Sequence, residues 1–348
     1  MTLVGDKRKV LTRIESSASG RIVINYRITE KCNYKCPYCW YKGRDFDSID
    51  GDLYSINNVL NNLKFVIDYY VEREKRVFLF LTGGEPSIYP LSFYNNLFEI
   101  IAEKKIEKIT LSTNFSADPS WFIGFAEKCK GNTFLEIKAA YHTSGCSIRE
   151  YIDKIKLVKD SVDRFMAHFT FDDNNFIGIE KINEIKDLGV VLDVVPIHSK
   201  EDDDIGAYKI TNPDLLDLIS PKGTEKPYTA FYKNGESEKI SVNSVKKMDF
   251  SLLKPLCHHS NITILNNKIG INCEYMRAIK RIEPKNWLDI SVERSKEEMY
   301  DYLENKCIIR CDKGCIGLGS NCKPNLLEFP KKTLLSELGR VFSKMKKG

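Results

Sequence analysis

The chain has 348 residues, 42% hydrophobic and 29% charged, the mix of an ordinary soluble chain with a sizeable core. No run of eighteen apolar residues occurs, so no membrane span is expected. The net charge of +5 comes from 53 basic and 48 acidic residues, interspersed, which gives no pointer to nucleic acid.

The first twenty residues read as an N-terminal extension without the apolar centre of a signal peptide, so a cytoplasmic chain is expected. Six β-branched or aromatic runs then predict strands at Arg21–Ile28, Val77–Leu81, Lys108–Ser112, Phe134–Ala140, Arg164–Phe171 and Val190–Ile197. Five amphipathic stretches separate them. Val59, Leu60, Leu63, Val66 and Ile67 recur at helical spacing in the first, and Tyr151, Ile152, Ile155 and Val158 in the fourth. Gly189 closes the fifth as a helix-ending glycine. This alternation predicts right-handed βαβ units around a parallel sheet spanning residues 21–200. The pattern fits an open, incomplete barrel and a doubly wound sheet equally.

Residues 201–250 read as a connector, with a turn at Asn234–Gly235. A small cysteine-rich α+β domain is expected over 251–348. It holds a hairpin around Asn266–Asn267 and a helix from Ser291 to about Asn305, with Ser291 as N-cap.

Eleven cysteines in such a chain point to metal ligation or redox chemistry rather than disulfides. Cys32, Cys36 and Cys39 stand within eight residues, in KCNYKCPYCW. Three thiolates can grip three corners of an iron–sulfur cube and leave one iron open. The same spacing also suits zinc, with His142 or a distant cysteine as a further ligand, or a redox pair.

Two further motifs follow. LTGGEP, Leu81 to Pro86, ends the second predicted strand, and STN, Ser112 to Asn114, ends the third. Together with the triplet they resemble the radical S-adenosylmethionine (radical SAM) superfamily over residues 20–200. The resemblance implies a partial (β/α)6 barrel rather than a doubly wound sheet. It implies that Cys32, Cys36 and Cys39 ligate a [4Fe–4S] cluster whose open iron binds S-adenosylmethionine. Gly83 and Gly84 would let backbone approach the methionyl end, and Glu85 would accept from its ammonium. Ser112 and Asn114 would meet the ribose, and backbone around Val195 the adenine. The implied reaction is reductive cleavage to a 5′-deoxyadenosyl radical and hydrogen-atom abstraction, with an electron donor such as flavodoxin or ferredoxin.

The later cysteines, Cys257, Cys273, Cys307, Cys311, Cys315 and Cys322, resemble the auxiliary-cluster domains called SPASM or twitch. The resemblance implies one auxiliary [4Fe–4S] cluster on Cys257, Cys273, Cys311 and Cys315; a four-thiolate zinc site is the alternative. The expected substrate is a small molecule or carbohydrate, with a ribosomally made peptide as the second choice; a non-enzymatic, zinc-stabilised interaction protein is the alternative to an enzyme. His142 and Tyr141 follow a strand end, as site residues would. Asp172 and Asp173 end another strand and suit a turn or a substrate contact. His168 reads as core or barrel lining.

Overall fold

The computed structural model describes residues 11–17, 20–36, 39, 53–143, 145–171, 175–196, 212–218, 228–240, 256–259, 261–265, 267–271, 287–305, 308–310 and 324–328. The described strands are β1 (Leu11–Ser16), β2 (Arg21–Thr29), β3 (Arg76–Gly83), β4 (Ile106–Thr113), β5 (Phe134–Tyr141), β6 (Arg164–Phe171), β7 (Val191–Pro196), β8 (Tyr228–Tyr232), β9 (Ser237–Ile240), β10 (Leu256–His259), β11 (Asn261–Leu265), β12 (Lys268–Gly270), β13 (Leu288–Asp289), β14 (Ile308–Arg310) and β15 (Pro324–Glu328). The helices are α1 (Leu53–Val71), α2 (Asn95–Glu103), α3 (Pro119–Cys129), α4 (Ile148–Val158), α5 (Ile179–Lys186), α6 (Pro213–Leu218) and α7 (Lys296–Asn305).

Strands β2 to β7 lie side by side in chain order and are all parallel, with α1 to α5 in the crossovers. Sequential order is what a barrel requires; a doubly wound sheet would reverse direction midway. Among the described residues the sheet does not close on itself, consistent with the expected partial barrel.

The period-two pattern divides each strand between two environments. Leu135, Ile137, Ala139 and Tyr141 of β5, and Phe165, Ala167, Phe169 and Phe171 of β6, are buried in one core with the apolar stripes of the helices. Leu63, Val66 and Ile67 of α1 are fully enclosed there. Each contributes about 1.5–3 kcal/mol by leaving water. Glu136, Lys138, Met166, His168 and Thr170 have the opposite parity and line the concave face. Caps fix the helix starts. Asp118 accepts from the Ser120 N–H before α3, and Ser147 and Glu150 form a reciprocal capping box on α4.

The hairpin expected around residues 266–267 forms as β11 and β12, but it does not stand apart. Strand β11 pairs in parallel with β2, so β11, β12 and β13 continue the barrel sheet to nine strands. Asn58 and Asn62 of α1 donate to the carbonyls of Ser291, Ile290 and Val292, and Tyr302 of α7 donates to Ile269. The C-terminal segment is thus tied to the barrel by side-chain amides as well as by strand pairing.

A second sheet, antiparallel at each pairing, runs β14-β10-β15-β1-β8-β9. It takes β1 from the expected extension and β8 and β9 from the expected connector. Tyr228 and Ala230 are buried in it, so that stretch supplies packed structure. Gly235, with φ of +87°, makes the predicted turn. The helix start differs from expectation. Ser295 caps α7 in a reciprocal box with Glu298, whereas Ser291 bonds to Asp289 before the helix. Glu298, three residues on, completes Ser295's box; Ser291 has Arg294 in that position. Among the described residues, no helix is long and apolar enough to cross a membrane.

Candidate active site

The C-terminal ends of β2, β3, β4 and β5 meet around the cysteine loop. Strand β2 runs through Thr29 directly into Glu30, Lys31 and Cys32. The GGEP turn after β3 docks against this exit. The Gly84 N–H donates to the Thr29 carbonyl at 2.7 Å and the Glu85 N–H to the Lys31 carbonyl at 2.7 Å. A Cβ on Gly83 would fall 2.1 Å from the Thr29 oxygen, and one on Gly84 1.9 Å from the Lys31 oxygen. Gly83 also has φ of +133°. The two glycines are therefore required by backbone packing against the cysteine loop.

Glu85 is fully buried. Its Oε1 accepts from the Ser87 N–H at 2.9 Å, the Ser87 hydroxyl at 2.6 Å and the Thr113 hydroxyl at 2.6 Å. Its Oε2 accepts from the Asn114 N–H. The sequence reading gave this carboxylate an external ammonium as donor; the structure gives it four protein donors, so Glu85 ties the β3 exit to the β4 exit. Burial raises its pKa, and these hydrogen bonds oppose that rise.

Asn114, expected at the ribose, is bonded within the protein to the cysteine loop and to its own turn. Its Nδ2 donates to Asn33 Oδ1 at 2.8 Å and lies 3.7 Å from Cys32 Sγ, and its Oδ1 accepts from the Ser116 N–H. The STN turn thus holds the cysteine loop. Ser112 has lumen parity on β4, beside Lys138 in register. Val195 pairs with Thr170 on β7, the last strand of the sheet. One side of that backbone carries no strand among the described residues.

The loop after β5 grips the cysteines from the other side. His142 Nδ1 lies 3.3 Å from Cys36 Sγ, and its ring meets Tyr34 edge-on at 5.8 Å. Burial, and then the charge of His168, pushes the His142 pKa down to about 4, so its imidazole is neutral at pH 7. Gly145 leaves the space that Tyr34 fills. Tyr141 is buried against Tyr151 and Phe169, which removes it from the site residues.

The residues fit an iron–sulfur group. Among the described residues, no three of His, Cys, Asp or Glu converge on a point that could hold one metal ion. Cys32, Cys36 and Cys39 supply three thiols from one short loop, the donor type of an iron–sulfur cube, in which each thiolate serves a different iron. Burial raises the Cys32 thiol pKa, so a thiolate there needs a compensating cation. Buried Cys129, pushed up to about 12, lies at the far end of α3.

Of the later cysteines, Cys257 lies on β10, opposite Ile309 and Leu327. Cys273, Cys307, Cys311, Cys315 and Cys322 fall outside the described residues, as do Asp172 and Asp173. Sequence reading took His168 as core or barrel lining. The structure joins it to Asp193 and Lys138 across three strands, a link that no local spacing carries.

Comparison with known proteins bears on the family. An S-adenosylmethionine-dependent nucleotide dehydratase from Fibrobacter sp. (strain UWH6) is 41% identical over 66 residues, 19% of each chain. A GTP 3′,8-cyclase from Campylobacter fetus subsp. fetus (strain 82-40) is 23% identical over 224 residues, 63% of this chain and 58% of the relative. The match thus spans less than two thirds of either relative's length. Among solved structures, histidine-tagged anSMEcpe with bound AdoMet is similar over 51% of each chain, at 18% identity and a TM-score of 0.38. The family model described as the radical SAM superfamily matches residues 26–234, more than half of the chain. The chain belongs to the radical SAM superfamily.

Proposed function

We propose that Cys32, Cys36 and Cys39 hold a [4Fe–4S] cluster and that the chain acts with S-adenosylmethionine on a carbon–hydrogen bond of a small, hydroxyl-bearing substrate. When bound, the cluster and S-adenosylmethionine supply reductive C–S cleavage and hydrogen-atom abstraction. The protein's part is to shape the loop and the lumen. The observation that supports this most is the convergence on the cysteine loop of the β3, β4 and β5 exits, through Gly84, Asn114 and His142. Ligands of parallel α/β sheets sit at that end of the strands. Ser112 and the Val195 backbone are the groups we assign to the nucleoside end of S-adenosylmethionine. Glu85 keeps the methionyl end in place by holding the two turns together.

We assign Cys257, Cys273, Cys311 and Cys315 to one auxiliary [4Fe–4S] cluster, with Cys307 and Cys322 beside them. It would accept an electron in an oxidation. A flavodoxin or ferredoxin would supply the reducing electron. The twitch-like resemblance of the sequence supports this part.

A second reading takes a nucleotide as the substrate. The names of two curated relatives, a nucleotide dehydratase and a GTP 3′,8-cyclase, favour it. Both readings share a hydroxyl-bearing ring, and substrate tests on polyols and on ribonucleotides separate them.

Anaerobic reconstitution with iron and sulfide tests the proposal. The expected result is brown protein holding about eight irons per chain. Dithionite and S-adenosylmethionine then yield 5′-deoxyadenosine and methionine. The triple variant Cys32→Ala, Cys36→Ala, Cys39→Ala should lose about four irons and all 5′-deoxyadenosine. Colourless wild-type protein with stoichiometric zinc would overturn the reading.

A further inference from the structure

The concave face of the barrel carries a linked set of charges that the proposal above does not use. His168 on β6 and Asp193 on β7 are register partners, and His168 Nδ1 lies 2.9 Å from Asp193 Oδ2. Lys138 reaches over from β5, its Nζ 2.7 Å from the same oxygen. Ala140 is the register partner of His168 on β5, and its methyl group leaves room for this crossing. An ionised carboxylate only accepts hydrogen bonds, so Nδ1 carries the proton. In the neutral ring, Nε2 is then an acceptor. It lies 3.4 Å from the hydroxyl of Thr170, one inward-facing position nearer the strand ends. Thr170 is in register with Val195, at the assigned adenine end. The side chains of His168, Lys138 and Asp193 are 17%, 24% and 29% exposed, so the cluster is open to the lumen.

We propose that His168, oriented by Asp193, is the proton acceptor for a hydroxyl of the substrate, held in the lumen of the barrel. The inference rests on the radical SAM reading of the same barrel and narrows its substrate class to a carbinol. The transfer is of a proton alone. The substrate O–H bond breaks, an N–H bond forms at Nε2, and the electron pair stays on oxygen. The carboxylate of Asp193 balances the resulting imidazolium, as a positioned partner does in acid–base pairs. Lys138 keeps that carboxylate ionised and holds it between two donors. Among the described residues, the charged or titratable groups that face His168 include Asp193 from β7, Lys138 from β5 and His142 beyond the end of β5.

The test uses the full, anaerobically reconstituted chain. Carbethoxylation of His168 by diethyl pyrocarbonate, followed against pH by peptide mass spectrometry, reads its protonation. Asp193→Asn should lower the midpoint by about one pH unit, since the carboxylate favours the charged ring. An unchanged midpoint overturns the dyad. The substrate arm uses a panel of cyclic polyols, sugars and ribonucleotides. A member should raise 5′-deoxyadenosine above the rate without substrate, and the ratio of product to 5′-deoxyadenosine should fall about 100-fold in His168→Gln. A ratio unchanged within about threefold overturns the acceptor role, and a panel in which nothing raises the rate overturns the carbinol class. Formation of 5′-deoxyadenosine without substrate reports on the radical SAM reading separately, so the two failures are distinguishable.

Discussion

His142 Nδ1 lies 3.3 Å from Cys36 Sγ, although 106 residues separate them in the chain. The contact makes the end of β5 part of the environment of a candidate cluster ligand. Hydrogen bonds to ligating sulfurs tune iron–sulfur potentials. His142→Ala is therefore expected to keep its iron content and to shift the midpoint potential of the cluster, read by redox titration followed by electron paramagnetic resonance. A potential identical to wild type would remove His142 from the cluster's environment.

Gly84→Ala places a methyl group 1.9 Å from the Lys31 carbonyl oxygen. Backbone must move, because no side chain there can swing aside. A loss of about 3 kcal/mol or more in urea unfolding is expected, together with reduced iron uptake. Gly145→Ala would meet the ring of Tyr34 at 2.1 Å, a side chain that can turn. It should cost less stability, and comparison of the two unfolding curves checks the ranking.

Glu85→Gln keeps the shape of the side chain and breaks its bonding. The amide has one accepting oxygen, and its NH2 would face donors from Ser87, Thr113 or Asn114. A loss of about 2–4 kcal/mol is expected by chemical denaturation. Glu85→Asp should also lose stability, because the shorter stem cannot reach both turns. If Glu85→Gln unfolded at the wild-type midpoint, the bridging role of this carboxylate would be wrong.

Asp193 carries a pH prediction. Its pKa is held below the ordinary carboxylate value, first by the hydrogen bond from His168 and then by the charge of Lys138, against the opposing effect of burial. The stabilisation is fully present above the unfolded value of about 3.9 and is lost as pH falls toward the lower folded value. Wild type should exceed Asp193→Asn by about 1–3 kcal/mol at pH 6. The gap should close below about pH 4, as thermal unfolding across that range will show.

Ser295→Ala removes the α7 cap and should cost about 0.5–2 kcal/mol, whereas Ser291→Ala should leave the start of the helix intact. Because α7 packs Met299, Tyr302 and Leu303 into the common core, the loss should appear in global unfolding.

The amino-acid sequence determined the repeating part of this protein. Strands β2 to β7 lie within one or two residues of where apolar period and turns put them, and helices α1 to α5 fall in the expected intervals between them, because those signals act between near neighbours. It also determined the chemistry on offer at Cys32, Cys36 and Cys39, since three thiols in eight residues share one short loop. Only the tertiary structure decided what surrounds them. Glu85 meets Asn114, His142 meets Cys36, and His168 meets Asp193 because parallel strands bring distant residues into register. Likewise, β1 and β15 pair from opposite ends of the chain, and β11 joins β2. Such contacts depend on how the sheet edges close, and no period within a single segment encodes them.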